Sequence, residues 1–319
     1  MKTPSRITDC LKGKTVFLTG GTGLFGKWLL DRFQRLDVEI VILSRNPAQF
    51  FSQFPLFGKS PNITLIQGDV RNFHFPSRSF DYVIHAATEA SAKLEHENPS
   101  EMYSVIVDGT QRVLEFSKQA NVKRLLYVSS GAVYGIQPPE LSHIPESFPC
   151  NPVTAYGKGK LKAEQMCLGS GIETVIARPF AFVGPWLPLD AHFAIGNFIG
   201  NCLRNEPIKI KGDGTPIRSY MYGSDLAEWL MALLLNGRVG EAYNVGSDDA
   251  ISVADLAGLV RSIAGTDNEI LVRGSQIPGA LPSRYVPSVR KARDELGLGI
   301  KVAQKTAIRH TLVWHKTNS

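Results

Sequence analysis

The sequence predicts an α/β fold in which helices cover both faces of a doubly wound parallel sheet. In the first half of the chain, short runs rich in Val, Ile and Leu alternate with longer stretches of helical periodicity. Nearly continuous apolar strands that alternate with helices are typical of a parallel sheet buried on both faces. A glycine-rich turn also joins the first strand to the first helix, as expected in a βαβ unit.

Residues 1–178 are predicted to form the larger domain. The apolar runs predict six strands, at Thr15–Thr19, Glu39–Leu43, Ile63–Gln67, Tyr82–Ala86, Arg124–Ser129 and Glu173–Ala177. Helical periodicity between them predicts three helices, at Leu24–Leu36, Glu101–Ala120 and Ala155–Leu168.

Residues 179–319 are expected to form mainly a smaller, mixed α/β lobe, because prolines and glycines crowd the loop after Arg178 and the later elements are short. About residues 212–250 are expected to return to the large domain. Helices are predicted at Phe193–Leu203, Leu226–Leu235 and Val253–Ile263. A strand is predicted at Ala242–Val245, and Ile208–Lys211 and Ile217–Tyr222 are short segments to which no element type is assigned.

Composition excludes several classes of protein. The chain has 319 residues, of which 43 % are hydrophobic and 20 % charged, so it is neither disordered nor collagen-like. Its net charge of +6 comes without a Lys/Arg run, which favours small anionic ligands over nucleic acid. The sequence contains no apolar run long enough to cross a membrane, and its four cysteines lack metal-ligand spacing. We therefore expect a cytoplasmic protein with free thiols and no metal.

The segment Thr-Gly-Gly-Thr-Gly-Leu-Phe-Gly follows the first strand directly and opens the first helix. Glycines at this junction let backbone N–H groups and the helix N-terminus hold a pyrophosphate, and the last glycine lets the helix pack closely on the sheet. The segment predicts a Rossmann-type dinucleotide site. The alternative is a glycine-rich turn that binds nothing. The assigned cofactor residues of the loop are Gly20, Thr22, Gly23, Leu24, Phe25 and Gly26.

The second strand ends in Ser44 and Arg45, where an acidic residue would accept hydrogen bonds from the adenosine ribose. An arginine there can pair with the 2′-phosphate of NADP, so the sequence favours NADP(H), with NAD(H) as the alternative cofactor. The alternative role for Arg45 is that of a solvated loop residue. Asp69 follows the third strand and can accept a hydrogen bond from the adenine amino group, or simply form a turn.

Small residues follow the fourth strand, where Ala86 and Ala87 leave space beside the cofactor's ribose and nicotinamide. His85 precedes them, and we assign it to packing rather than chemistry. Further residues beside the strand ends are assigned to the cofactor site as well: Val70, Ser129 and Pro179.

Ser130, Tyr156 and Lys160 form the predicted catalytic set. Tyr156 and Lys160 are four residues apart, and thus lie on one face of a helix. A phenol of ordinary pKa near 10 exchanges protons poorly at neutral pH, and a nearby ammonium stabilises the phenolate and lowers that pKa. Ser130 ends the fifth strand, where it can hold a substrate oxygen, while Tyr156 and Lys160 also contact the cofactor.

Together these motifs resemble those of the extended short-chain dehydrogenase/reductases, a family of nucleotide-sugar epimerases, dehydratases and ketoreductases. The segments Thr19–Gly26, Ser129–Gly135 and Tyr156–Lys160 are similar to the family's TGGxGxxG, SSxxVYG and YxxxK. Arg178–Pro185 is similar to its RPFNVYGP, and Lys211–Tyr220 to its GDGxxxR. The resemblance implies a nucleotide-diphosphate sugar as substrate, an arginine that contacts the diphosphate, and a homodimer.

Two departures from the family pattern are informative. The 4,6-dehydratases of the family carry Thr-Asp-Glu where this chain has Ser130, Gly131 and Ala132, so the acid and base of dehydration are missing. Ile106 stands where many relatives have the Asn of NVxGT, which usually supports the catalytic helix.

The predicted substrate site combines the catalytic serine with residues of the smaller lobe. Arg218 and Arg284 are candidate diphosphate clamps, with surface salt bridges as the alternative. His192 and Asn197 can hydrogen-bond the sugar nucleotide, or cap and pack a helix. The assigned substrate residues are Ser130, Gly131, Ala132, His192, Asn197, Arg218 and Arg284.

Three functions follow as hypotheses. The first is NADPH-dependent reduction of the C4 keto group of a nucleotide-linked 4-keto-6-deoxy sugar, which Arg45 and the Ser-Ser-Gly-Ala-Val-Tyr-Gly segment favour. The second is a 4-epimerase that retains NAD. The third is a dinucleotide-binding sensor without catalysis, which the intact Ser130, Tyr156 and Lys160 disfavour.

Overall fold

The computed structural model describes residues 9–88, 91–191 and 193–318. In chain order its strands are β1 (Lys14–Thr19), β2 (Val38–Ser44), β3 (Ile63–Gln67), β4 (Tyr82–His85), β5 (Arg124–Val128), β6 (Glu173–Pro179), β7 (Phe182–Val183), β8 (Ile208–Ile210), β9 (Ile217–Ser219), β10 (Met221–Tyr222), β11 (Ala242–Val245), β12 (Ala250–Ser252), β13 (Ile270–Val272) and β14 (Arg284–Tyr285).

The helices are α1 (Leu24–Phe33), α2 (Pro47–Gln53), α3 (Pro55–Gly58), α4 (Ala92–Glu97), α5 (Pro99–Gln119), α6 (Ala155–Leu168), α7 (Ala194–Leu203), α8 (Gly223–Asn236), α9 (Val253–Ala264), α10 (Arg290–Leu296) and α11 (Gln304–Asn318). Within the described ranges, none of these helices has the length and apolar character needed to span a membrane.

Seven strands form a parallel sheet in the order β11-β6-β5-β4-β1-β2-β3. The order reverses between β1 and β4, which confirms the predicted doubly wound Rossmann-type fold. Because ligands of such folds bind at the carboxyl ends of the strands near this reversal, the sheet itself places the site.

Two helical layers cover the sheet. On one face α5 packs against α6, and a Cβ on Gly159 of α6 would lie 3.3 Å from the Ile106 side chain of α5. On the other face α1 packs against α8, where Gly223 meets the Trp28 ring so closely that a Cβ would lie 2.0 Å from it. Both faces of the sheet are therefore buried, as the apolar strands predict.

Most predicted elements are confirmed within a few residues, and Ala155–Leu168 and Ala242–Val245 agree at both ends. The first helix ends at Phe33 instead of Leu36. Nδ2 of Asn62 donates to the carbonyl oxygens of Phe33 and Leu36, at 3.1 and 3.3 Å. These two carbonyl groups therefore have a hydrogen-bond partner without a further turn of helix.

The short segment Ile217–Tyr222 forms two strands. β9 pairs with β12 and β14 in a three-stranded sheet of the smaller lobe, whereas β10 pairs with β7. Tyr220 lies between them and is buried, so the chain changes partners there without leaving the protein interior. β11 forms the edge of the large sheet beside β6.

Candidate active site

The glycine loop after β1 requires glycine at both of its ends. Gly20 has a φ of +73°, and a Cβ there would lie 2.5 Å from the Ala86 carbonyl. A Cβ on Gly26 would lie 2.3 Å from the backbone of Gly21. Among the described residues no side chain caps helix α1 at Gly23, so the N–H groups of its first turn face the cleft. This uncapped turn suits the pyrophosphate of a dinucleotide.

The residues predicted at the adenosine end lie together at the ends of β2 and β3. The Ser44 hydroxyl accepts a hydrogen bond from the Asn46 N–H at 3.2 Å, and Arg45 is exposed beside it. Asp69 accepts from Nε of Arg71 at 3.0 Å. The pKa of Asp69 is lowered mainly by this hydrogen bond, with a smaller contribution from the charge of Arg45.

Two of the remaining cofactor assignments have clear structural contacts. Val70 is buried at 9 % exposure and packs against Gly109 of α5, where a Cβ would lie 2.8 Å from it. The Ser129 hydroxyl donates to the Glu164 carboxylate inside the protein. Pro179 and Ser129 both line the central cavity, whereas Val70 supports it from behind.

His85 is buried between two threonines. Its Nδ1 lies 2.7 Å from Oγ1 of Thr19 and its Nε2 lies 3.0 Å from Oγ1 of Thr110. Burial lowers the pKa of His85 to about 3, so the ring is neutral at physiological pH. The Thr19 hydroxyl also accepts from the Ala87 N–H at 3.1 Å, which fixes the backbone that follows β4. His85 thus ties β1 and β4 to α5.

The three predicted catalytic residues converge at the carboxyl end of β5. Ser130 starts a short 3₁₀ turn, and its hydroxyl accepts from the Ala132 N–H at 3.1 Å. Tyr156 lies in the first turn of α6 and Lys160 one turn later. Nζ of Lys160 donates to the Val128 carbonyl at 2.8 Å and lies 5.8 Å from the centre of the Tyr156 ring.

Burial shifts the proton affinity of both the tyrosine and the lysine. It raises the pKa of Tyr156, and the nearby hydroxyls of Ser130 and Thr88 act in the opposite direction. It lowers the pKa of Lys160 to about 7. Oγ1 of Thr88 is buried without a hydrogen-bond partner among the described residues, so a bound molecule can use it.

A buried ion pair joins α6, the helix of Tyr156 and Lys160, to the neighbouring strand β6. Arg178 of β6 donates to both carboxylate oxygens of Glu164 of α6, at 3.0 and 2.7 Å. Arg178 also donates to the Tyr134 hydroxyl at 3.0 Å, which in turn donates to Asn244 of β11 at 2.8 Å. The network joins α6 to three neighbouring strands, because Ser129 at the end of β5 also binds Glu164.

A cavity of about 780 Å³ lies between the glycine loop, the catalytic residues and the smaller lobe. The large domain contributes the apolar side chains of Leu24 and Phe25 and the hydroxyls of Ser130 and Tyr156. The smaller lobe contributes polar and charged side chains to the opposite wall: Asn197, Lys209, Lys211, Arg218 and Tyr285. The cavity therefore brings the hydroxyl-bearing residues Ser130 and Tyr156 together with side chains that suit an anionic ligand.

The structure separates the two arginines predicted to bind diphosphate. Arg218 lines the cavity, and its Nη1 donates to the carbonyl oxygens of Ile217 and Ser283, at 2.8 and 3.3 Å. Arg284 is not among the described residues that line it, because its Nε donates to the Pro139 carbonyl at 3.0 Å. The prediction for His192 lies outside the described residues.

Position 131 cannot carry a side chain. A Cβ there would lie 2.7 Å from the Tyr285 hydroxyl and 2.8 Å from the Phe180 ring. Those two rings pack together with centres 4.6 Å apart. Ala132 lines the cavity, whereas Gly131 is covered by Tyr285 and is buried. The space of the missing acid is thus filled by the smaller lobe.

Several residues that line the cavity were not predicted from the sequence, among them Glu95, Lys209, Lys211 and Tyr285. Thr88, which acts on the pKa of Tyr156, was not predicted either. The two lysines lie within the segment Ile208–Lys211 and alternate with isoleucines, a pattern that places them on one face of a strand. Within the described ranges no cluster of three or more His, Cys, Asp or Glu side chains could hold a metal.

Comparison with known proteins agrees with this architecture. UDP-glucuronic acid decarboxylase 2 of Arabidopsis thaliana is 30 % identical over 311 residues, which cover 93 % of this chain and 67 % of that protein. The chain thus spans about two thirds of the length of this relative.

Solved structures share the fold over nearly the whole chain. An epimerase from Methanothermobacter thermautotrophicus superposes with a TM-score of 0.84 and 26 % identity, covering 98 % of this chain and 95 % of that one. UDP-glucuronic acid 4-epimerase from Bacillus cereus, solved with NAD and a fluorinated UDP-glucuronic acid, gives a TM-score of 0.85 at 22 % identity, covering 96 % of this chain and 100 % of that one.

The model of the NAD dependent epimerase/dehydratase family matches residues 16–246, which include the glycine loop, the catalytic residues and the cationic wall of the cavity. This match confirms the resemblance to the extended short-chain dehydrogenase/reductases that the motifs predicted. The chain is a nucleotide-sugar-modifying enzyme that belongs to the NAD dependent epimerase/dehydratase family.

Proposed function

We propose that the protein reduces the C4 keto group of a nucleotide-linked 4-keto-6-deoxy sugar with NADPH. The observation that carries this proposal is the composition of the cavity. Proton-donating hydroxyls stand on one wall, cations stand on the other, and the position of the dehydratase acid is filled. The relatives that act on UDP-sugars support a nucleotide sugar as the substrate class.

The cavity offers little for elimination of water. Glu95 provides the one carboxylate among the described residues that line it. Both oxygens of Glu95 accept backbone hydrogen bonds, from Ala155 at 2.7 Å and Tyr156 at 2.9 Å, and are not placed to remove a proton from a sugar. Since dehydration needs a free acid and base, the side chains favour a redox step that uses one proton donor.

The cationic wall suits a diphosphate. Arg218 is partly buried, its hydrogen-bond partners are carbonyl oxygens, and no carboxylate of the described residues pairs with it. Burial lowers the pKa of Arg218, which means that its charge is left without full compensation. Lys209 and Lys211 stand on the same wall. Phosphate oxygens would neutralise these charges.

The residues of the chain then have defined tasks in reduction. Bound NADPH supplies the hydride that the C4 carbonyl receives. The Ser130 hydroxyl holds the carbonyl oxygen in place, and Tyr156 donates the proton that neutralises it. The ammonium of Lys160, one turn away, lowers the cost of leaving Tyr156 as phenolate. One hydride and one proton convert the ketone into an alcohol, so the reaction balances.

Arg45 favours NADPH in this proposal. It is exposed at the carboxyl end of β2, beside Asp69, where the adenosine end of a dinucleotide lies in this fold. No acidic residue stands at position 44 or 45 to repel a 2′-phosphate. A guanidinium at that position can form charge-assisted hydrogen bonds to the phosphate.

A 4-epimerase is the second candidate. It uses the same serine, tyrosine and lysine, and the superposition with an epimerase at 26 % identity favours it. An epimerase reoxidises its own cofactor, whereas a reductase consumes one NADPH for each product. The two functions therefore differ in cofactor stoichiometry.

Tyr156→Phe keeps the ring and removes the proton donor. We expect kcat for reduction of a 4-keto-6-deoxy sugar nucleotide to fall at least about 100-fold, with little change in the Kd for NADPH. The matched control is Tyr103→Phe, on the exposed side of α5, which should keep normal turnover. Near-normal reduction by Tyr156→Phe would refute the assignment.

Arg218→Ala removes the guanidinium from the cavity wall. Losing a charge-assisted contact of about 1.5–3 kcal/mol should raise the KM for the sugar nucleotide by roughly 10- to 100-fold, while the KM for NADPH stays nearly constant. Arg284→Ala is the comparison, because Arg284 donates to the Pro139 carbonyl and is not among the described residues that line the cavity. Equal effects of the two substitutions would contradict the diphosphate role of Arg218.

Arg45→Asp tests the cofactor assignment. The substitution replaces an attractive contact with a repulsive one, so the ratio of Kd values for NADPH and NADH should shift toward NADH by at least about tenfold. Turnover with saturating NADH should be retained. If the wild-type protein already binds NADH more tightly than NADPH, the assignment is wrong.

A further inference from the structure

A carboxylate from another part of the chain caps the N-terminus of α6, the helix that carries Tyr156 and Lys160. Glu95 of α4 accepts the Ala155 N–H on one oxygen at 2.7 Å and the Tyr156 N–H on the other at 2.9 Å. Thr154 accepts the third N–H of the helix, from Gly157, at 3.0 Å. The first three N–H groups of α6 are therefore all satisfied, two of them by a residue 60 positions earlier.

This contact is stronger than an ordinary helix cap. A carboxylate at a helix N-terminus gains from charge-assisted hydrogen bonds and from the helix dipole together. Because the two N–H groups belong to consecutive residues, binding both fixes the rotation of the first turn as well as its position. One of these residues is Tyr156 itself, so Glu95 holds the backbone that carries the catalytic phenol.

The contact of α6 with α5 offers no comparable restraint. Gly159 faces Ile106 of α5, and the contact is apolar: a Cβ on Gly159 would lie 3.3 Å from the Ile106 side chain. Such packing sets the distance between the two helices but has no direction along the helix axis. Side-chain bonds of Lys160 and Glu164 anchor the later turns of α6 to β5 and β6, and the polar contact to the backbone of Tyr156 itself is the one to Glu95.

We propose that Glu95 is the positioning residue of Tyr156, acting through its backbone to aim the phenol at the substrate oxygen held by Ser130. The inference rests on the proposed function, in which Tyr156 donates the proton. Glu95 lines the cavity, but both of its oxygens are engaged by these backbone hydrogen bonds, so its effect passes through Tyr156. Loss of Glu95 should therefore lower turnover while leaving the binding of both substrates nearly intact.

Two substitutions of Glu95 and one control test the proposal. Glu95→Gln keeps one acceptor oxygen and Glu95→Ala keeps none, so we expect kcat to fall about 5-fold and about 50-fold, within the range of positioned proton transfer. KM for the sugar nucleotide and Kd for NADPH should change less than about threefold. Glu97→Ala, two residues further on the same helix and exposed, should leave kcat unchanged. Unchanged turnover in both Glu95 variants overturns the proposal. If Glu95→Ala does not fold, the turnover of Glu95→Gln alone decides the test.

A double-substitution cycle separates positioning from general stability. If Glu95 acts through the Tyr156 hydroxyl, removing it should cost little further activity once that hydroxyl is absent. We expect Glu95→Gln to reduce the residual rate of Tyr156→Phe less than twofold. Losses that multiply in the double variant would overturn the positioning role.

Amide hydrogen exchange tests the tether without reference to activity. Exchange at one of the two amides, that of Ala155 or that of Tyr156, should accelerate at least about tenfold in Glu95→Gln, because one of the two protecting bonds is lost, and neither amide should change in Glu97→Ala. Unchanged exchange at both amides overturns the tether. If the wild-type protein has no ketoreductase activity, the proposed function is refuted. Hydrogen exchange at Ala155 and Tyr156 then still tests whether Glu95 holds the first turn of α6.

Discussion

The ion pair between Glu164 and Arg178 lies inside the protein, with side chains 3 % and 9 % exposed. Burying two charges is favourable only when both are fully hydrogen-bonded, and here Ser129 and Tyr134 supply the additional bonds. Removing one partner of such a pair typically costs about 3–5 kcal/mol, because the other charge is left uncompensated. Since the pair connects α6 with β5, β6 and β11, the positions of Ser130, Tyr156 and Lys160 all depend on it.

Burial also shifts the pKa of Lys160, which lies one helical turn before Glu164. Lys160 is 1 % exposed and its pKa is lowered to about 7, although the negative charge of Glu164 opposes the shift. The lysine therefore exchanges its proton near neutral pH, and an ordinary surface lysine does not. Tyr156 stands at the wall of the cavity, between this lysine and the Ser130 hydroxyl. Tyr156 and Lys160 of α6 thus meet Ser130 at the carboxyl end of β5.

The sequence predicts the features that are local in the chain. The apolar runs predict six strands of the sheet, and the spacing of Tyr156 and Lys160 places them on one helix face. The sequence does not predict contacts between distant segments. Nothing in the residues around Glu95 indicates that it contacts α6, and nothing around Tyr285 indicates that it contacts Gly131. Neighbours on a strand face opposite sides, so that of two adjacent residues Tyr285 lines the cavity while Arg284 donates to the Pro139 carbonyl.

The central claim, reduction at C4, is tested most directly with NADPH carrying deuterium at C4 of the nicotinamide. The protein is incubated with 4-keto-6-deoxy sugars linked to dTDP, UDP, GDP or CDP, and the products are analysed by NMR. We predict a product with one deuterium at C4 of the sugar and one NADP⁺ formed for each product molecule. Interconversion of 4-hydroxy epimers without added NADPH, with no deuterium entering the sugar, would contradict the account and identify an epimerase.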